Sequence, residues 1–140
     1  IEGVQCFSEP DLNEFLARTN LLVCLLPLTP ATSGILELDV FKKLKQPSYV
    51  INAARGNHLI EEDLMYALDI GVLSGACLDV FEEEPLPKNH LFWNRPNINI
   101  TPRIASNTTP SEAATQSLEN YKRSLSGMEL LNAVDRDKGY

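Results

Sequence analysis

Three segments constrain the fold most: LLVCLL (Leu21–Leu26), SYVIN (Ser48–Asn52) and GACLDV (Gly75–Val80). Each is almost continuously apolar and too short for a globular helix. Such runs read as strands of a parallel sheet with both faces covered. A fourth run, INIT (Ile98–Thr101), alternates and stops at Pro102. VQCF (Val4–Phe7) offers a further edge strand.

Helical patterns fill the gaps. Ser8-Glu9-Pro10-Asp11 opens one, with Ser8 as cap, and Leu12, Phe15 and Leu16 then share a face. Leu38, Phe41 and Leu44 mark a second, with Lys42, Lys43 and Lys45 near its negative end. Glu61–Ile70 is a third, with acids in its first turn, Ile60, Leu64 and Leu68 on one side and Gly71 to close it. Ser111–Leu125 is a longer fourth, followed by Gly127 and a polar tail, NAVDRDKGY. Strand and helix alternating over short connections indicate βαβ units in an α/β fold. Ligands then bind in the crevice at the C-terminal strand ends.

The residues just past each strand carry the chemistry. After Leu26 comes PLTPATSG (Pro27–Gly34), whose Thr29, Thr32 and Ser33 either hold ribose or phosphate or simply form a turn before the next helix. After Asn52 comes AARGN. Ala53 and Ala54 let a ligand approach the backbone, and Arg55 is a permanently charged fork suited to a carboxylate. Gly56 is read as permitting an unusual backbone angle. An Arg55 paired with a surface acid is the structural alternative. After Leu78 come Asp79, the acidic triplet Glu82, Glu83 and Glu84, and the stiffening Pro85 and Pro87. The fourth strand ends at Thr101-Pro102-Arg103.

A chain of 140 residues suffices for a real core, and 44% hydrophobic with 22% charged residues is ordinary for a soluble globular protein. The formal charge of −7 argues against nucleic acid or an anionic membrane as partner. No apolar stretch reaches the ~20 residues of a membrane span. Cys6, Cys24 and Cys77 are widely spaced, show no metal-binding pattern, and read as free thiols of a reducing cytoplasm.

LLPLTPAT, NAARG, EEDLMYAL, GACLDVFEEEPLP and ITP, in this order and spacing, resemble the D-isomer-specific 2-hydroxyacid dehydrogenases. ARGNHLIEEDL and the terminal VDRDKGY resemble the subgroup that reduces glyoxylate and hydroxypyruvate. The resemblance implies the C-terminal half of a Rossmann-type doubly wound parallel sheet domain over residues 1–108. A C-terminal helix and tail, 109–140, would return to a substrate domain. It implies that Pro27, Leu28, Thr29, Ala53, Arg55 and Asp79 contact NAD(P)H, with Asp79 holding the nicotinamide carboxamide. Arg55 would bind the carboxylate of a small 2-oxoacid or 2-hydroxyacid and polarise the carbonyl. Glu84 would orient a histidine that protonates the keto oxygen as hydride arrives. A homodimer is implied for the full-length protein.

The chain departs from that pattern twice. Arg103 stands where the family motif Thr-Pro-His has its histidine, so it is expected to pair with Glu84 or to clamp a second carboxylate, and activity is expected to suffer. His58 and His90 are not expected to take over the proton. No G-x-G-x-x-G is present, and the chain begins at Ile1 without Met. The phosphate-binding motif and most of the substrate domain are therefore expected upstream, and the piece alone is expected to be inactive, with an exposed sheet edge and an apolar face. A non-catalytic dinucleotide-binding or partner-binding homologue is the second reading. An unrelated flavodoxin-like binding domain explains the alternation but not the motifs.

Overall fold

The apolar runs become parallel strands in the computed structural model, which describes residues 2–106 and 108–137. The strands are β1 (Leu21–Cys24), β2 (Tyr49–Asn52), β3 (Gly75–Leu78) and β4 (Ile98–Ile100). They form one sheet in the order β1-β2-β3-β4, every neighbouring pair parallel. Leu21 pairs with Tyr49, Tyr49 with Gly75, and Ala76 with Ile98. The helices are α1 (Leu12–Arg18), α2 (Leu38–Lys43), α3 (Glu61–Asp69) and α4 (Pro110–Leu125). The chain divides into two units, Ile1–Arg103 and Ile104–Tyr140. Lys138, Gly139 and Tyr140 of the polar tail lie outside the described residues.

In the first unit the sheet carries its core on one face. Leu22, Val50, Ala76 and Leu78 are buried with Leu16 of α1, Phe41 of α2 and Leu64, Ala67 and Leu68 of α3 in a single apolar cluster. Alternation along the strands turns Leu21 and Val23 to the other face, where they are 54% and 44% exposed. The continuous apolar runs suggest cover on both faces, and this unit provides it on one. The expected apolar face and open sheet edge are therefore present at β1. No helix among the described residues is long and apolar enough to cross a membrane.

Local chemistry sets the helix ends. Asp63, in the first turn of α3, accepts a 2.9 Å bond from the Leu38 N–H and so caps α2. Gly71 closes α3 at φ 74°, a left-handed conformation that glycine adopts without a Cβ clash. Ser8 is the N-cap of the opening turn, as expected, and the Asp11 carboxylate three residues on accepts from both its N–H, at 3.4 Å, and its hydroxyl, at 2.5 Å. Val4–Phe7 forms no strand. Phe7 instead lies 5.7 Å from the Phe15 ring and under the Arg18 guanidinium, so it pads α1. β1 ends at Cys24, two residues before the apolar run does, because its partner β2 ends at Asn52.

The second unit is α4 and the segment after it. Pro110 occupies the first helical turn, and Glu119 and Arg123 pair at 2.9 Å one turn apart. Asn120 holds the returning chain by two bonds to the Leu131 backbone, at 3.1 and 2.8 Å.

Leu64 is fully buried, so Leu64→Ala is expected to cost about 2–5 kcal/mol through lost burial and a cavity. The urea midpoint should fall with an unchanged slope. Leu91→Ala, at a residue 66% exposed, should move it by less than about 0.5 kcal/mol.

Candidate active site at the strand ends

Four loops leave the C-terminal edge of the sheet, and a few buried polar groups tie them together. At the end of β2 the fully buried Asn52 spends its side chain on the loop that follows. Its Oδ1 accepts from the Ala54 N–H at 3.2 Å, and its Nδ2 donates to the Arg55 carbonyl at 2.9 Å. Its own carbonyl accepts from the Asp79 N–H at 3.0 Å, which joins this loop to the end of β3. The Ala53 N–H reaches back to the Cys24 carbonyl at 3.3 Å, joining it to β1.

His58, also fully buried, makes the next tie. Its Nδ1 accepts from the Arg55 N–H at 3.2 Å, which leaves the ring proton on Nε2, facing the Pro27 carbonyl at 3.3 Å. With both ring nitrogens engaged inside the protein, His58 is a spacer between two loops. Sequence reasoning kept it out of proton transfer but did not find this role. A histidine two residues after a glycine at a strand end was the available signal.

Gly56 follows Arg55 for a reason other than the backbone freedom anticipated for it. Its φ is not positive. A Cβ at this position would fall 1.9 Å from the Phe81 carbonyl carbon and 2.2 Å from the Glu82 nitrogen. The two loops touch backbone to backbone, and only a residue without a side chain fits between them.

This contact sets the Phe81–Glu84 turn beside Arg55. The Phe81 N–H donates to Glu84 Oε1 at 3.1 Å, and Arg103 Nη1 donates to Glu84 Oε2 at 2.7 Å. The Phe81 bond above all holds the Glu84 carboxyl below the ordinary glutamate range; burial opposes it, and Arg103 and then the charge of Arg55 add to the lowering. Arg103 has φ 54°, a left-handed backbone uncommon for a residue with a side chain. Asp79, 5% exposed at the end of β3, accepts from the Thr101 hydroxyl at 2.5 Å.

The structure thus brings Arg55, Glu84 and Arg103 together, and puts Asp79 beside the root of the Arg103 loop. Arg55 is exposed, and its Nη1 donates to the Ala54 carbonyl at 2.7 Å. Leu28 and Thr29 stay in the loop after β1. There the Thr32 hydroxyl accepts from the Thr29 N–H at 2.9 Å and donates to the Pro27 carbonyl at 2.6 Å. Thr32 thereby closes the turn after β1. Glu82 and Glu83 line a separate cavity of 290 Å³ with Glu61, Leu86 and His90. His90 donates from Nε2 to Glu61 at 3.1 Å and caps the turn at Phe92, away from Glu84. Burial raises the Glu61 carboxyl, with His90 opposing. Among the described residues no group of three His, Cys, Asp or Glu side chains is arranged to hold a metal ion.

Residues 2–105 match the family described as D-isomer specific 2-hydroxyacid dehydrogenase, NAD binding domain. The chain belongs to this family. It is 47% identical over 98% of its length to a glyoxylate/hydroxypyruvate reductase A of Photorhabdus laumondii, and 45% identical over 100% to that of Yersinia enterocolitica. It spans 44% and 45% of those proteins, less than half of each. Among solved structures it resembles the NADPH-dependent glyoxylate/hydroxypyruvate reductase of Sinorhizobium meliloti in complex with NADP and sulfate. There the TM-score is 0.94 and the identity 41%, over 100% of this chain and 46% of the other. A probable 2-hydroxyacid dehydrogenase of Rhizobium etli, in complex with NADP, HEPES and L(+)-tartaric acid, gives 0.92 and 40% over the same shares. Within this family the α/β unit described above is the expected architecture.

Two substitutions probe the geometry. Gly56→Ala forces backbone atoms apart and should destabilise by about 1–3 kcal/mol or more in chemical denaturation. A loss under about 0.5 kcal/mol would contradict the close approach. Glu84 tests the ion pair. A carboxyl depressed in the folded state stabilises above its unfolded pKa and loses that contribution as pH falls through the folded value. The stability gap between the protein and Glu84→Gln should therefore be open at pH 7 and close on acidification below about pH 4. A gap constant from pH 7 to pH 3 would remove the ionised Glu84 from the account.

Proposed function

We propose that this chain is the C-terminal part of an NADP-dependent reductase of small 2-oxoacids, glyoxylate- or hydroxypyruvate-like, in which Arg103 stands in for the proton donor. The carrying observation is the Arg103–Glu84 bond. The carboxylate that would orient a catalytic acid is already satisfied by a cation that has no proton to give near neutrality.

The chemistry of the donor set fits the nicotinamide end of the cofactor. Ala53 and Ala54 are small, and Asp79 is a nearly buried carboxylate at the end of β3. A carboxylate has about four lone-pair sites and so can accept from several donors at once, the Thr101 hydroxyl among them. Asp79 and the Ala53 backbone would hold the carboxamide, and Pro27, Leu28 and Thr29 would line the ring. When bound, the cofactor supplies the hydride. Its preference for NADP follows the relatives, two of which were solved with NADP. The phosphate-binding glycines are not among this chain's residues.

In this reading Arg55 binds the substrate carboxylate and polarises its carbonyl, and the negative charge that grows on oxygen lies among arginines. Glu84 holds Arg103 in place. Arg103 stabilises the oxyanion without protonating it, so the proton must come from water and turnover is slow. Three unpaired cysteines suit a reducing, cytoplasmic setting. The same ion pair also favours a second reading, a homologue that binds dinucleotide or a partner without turnover.

The test is the protein at its natural length, assayed with NADPH and glyoxylate. It should bind NADPH and reduce glyoxylate slowly, and Arg103→His should raise kcat by about 10²–10⁴-fold, the usual scale of general acid catalysis. An unchanged or lower rate would sink this account of Arg103. If no 2-oxoacid oxidises NADPH even with histidine restored, the protein is a binder.

A further inference from the structure

We propose that His58 is a positioning residue shared by the two ligands of this site: its Nδ1 sets the backbone of Arg55, and its Nε2 sets the loop that begins at Pro27. The inference rests on the reading of the crevice as a cofactor and 2-oxoacid site, and says how the two halves of that site are kept in register.

An imidazole with no solvent exposure needs a polar reason to be where it is. A phenylalanine would fill similar space without burying polar atoms. The partners supply the reason. The Arg55 N–H donates to Nδ1 at 3.2 Å, and the Pro27 carbonyl lies 3.3 Å from Nε2. The Arg55 carbonyl is also 3.1 Å from Nδ1, but it already accepts from the Asn52 amide at 2.9 Å. A proton on Nε2 satisfies Arg55 N–H and Pro27 together. A proton on Nδ1 would set lone pairs face to face at Pro27 and deny the Arg55 N–H its acceptor. The ring therefore accepts on one side and donates on the other.

The two contacts belong to different loops. The Pro27 carbonyl is the hub of the loop after β1, because the Thr32 hydroxyl also donates to it at 2.6 Å while accepting from the Thr29 N–H at 2.9 Å. That carbonyl opens the Leu28–Thr29 stretch assigned to the cofactor. Asn52 holds the other side of Arg55, but its side chain stays within its own loop. His58 reaches across to a residue 31 positions earlier. The fold does not depend on the ring for this union. The Gly34 N–H bonds the Asn57 carbonyl at 2.9 Å, and the Leu36 N–H bonds the His58 carbonyl at 2.8 Å, so backbone already joins the segments. What the ring adds is the orientation of two peptides, one on the acid side and one on the cofactor side.

Two amides divide the ring between them. Asparagine places an accepting Oδ1 where Nδ1 stands, and glutamine carries a donating Nε2 to where the ring Nε2 stands. NADPH is titrated calorimetrically into the protein at its natural length and into His58→Asn, His58→Gln and Arg55→Ala. Glycolate follows in the presence of NADPH, so that no hydride can move. His58→Asn should keep glycolate affinity and weaken NADPH about three- to tenfold, the scale of one hydrogen bond. His58→Gln should keep NADPH affinity and weaken glycolate by the same factor. Equal losses in both variants, no loss in either, or the reverse pattern would reduce His58 to a structural residue and leave the site standing. If either variant fails to fold, nitrogen NMR of the unmutated protein decides. The His58 ring should carry its proton on Nε2, and its resonances should move with each ligand. A proton on Nδ1, or resonances indifferent to either ligand, would overturn the assignment. A protein that fails to bind NADPH or glycolate, or whose glycolate affinity ignores Arg55→Ala, would overturn the site reading and this inference with it.

Discussion

The backbone contact between Gly56 and the Phe81–Glu82 peptide is the constraint on which the crevice depends. It joins the loop after β2 to the loop after β3 at a distance no side chain would permit. Everything functional hangs from one side or the other of it. On the near side, Asn52 and His58 consume the carbonyl and N–H of Arg55, so the backbone of that residue is fixed and its side chain alone faces outward. On the far side, the Phe81 N–H fixes one oxygen of Glu84 and leaves the other for Arg103. Side chains pre-set by their own backbone bonds lose little freedom when a ligand arrives, the condition for tight and selective binding.

The sequence exposed the periodic part of this architecture and hid the cross-loop part. Four strands, the helices between them and the closing Gly71 were legible because each depends on neighbours within a few residues. The site loops were legible as positions, since ligands in such sheets sit at strand ends. What joins the loops was not. His58 and Pro27 are 31 residues apart, and Gly56 meets a peptide 25 residues on; no local pattern reports such a meeting. For the same reason Gly56 reads as a bend in the sequence and is instead a point of close backbone approach. The apolar runs were read as covered on both faces, yet hydrophobicity records only that cover is needed. It does not say which segment supplies it, and within this unit the Leu21 and Val23 face has none.

The ion pair at Arg103 is not what holds its backbone in the left-handed region. An exposed pair contributes about 0–1 kcal/mol, and a left-handed residue with a Cβ costs roughly 1–2 kcal/mol. At 52% and 31% exposure for the two side chains, the pair falls short of that cost. The turn must be set from the strand side. Thr101 is anchored through its hydroxyl to the nearly buried Asp79, and its N–H bonds the Leu78 carbonyl at 3.0 Å. Pro102 then keeps Thr101 extended and fixes its own φ. Arg103 leaves the sheet along a path already determined, and Glu84 meets it there. A histidine at this position would inherit the same path and the same carboxylate. In the reading proposed above, the path that would aim a proton donor at the crevice is present, and the side chain it aims is a permanently charged arginine.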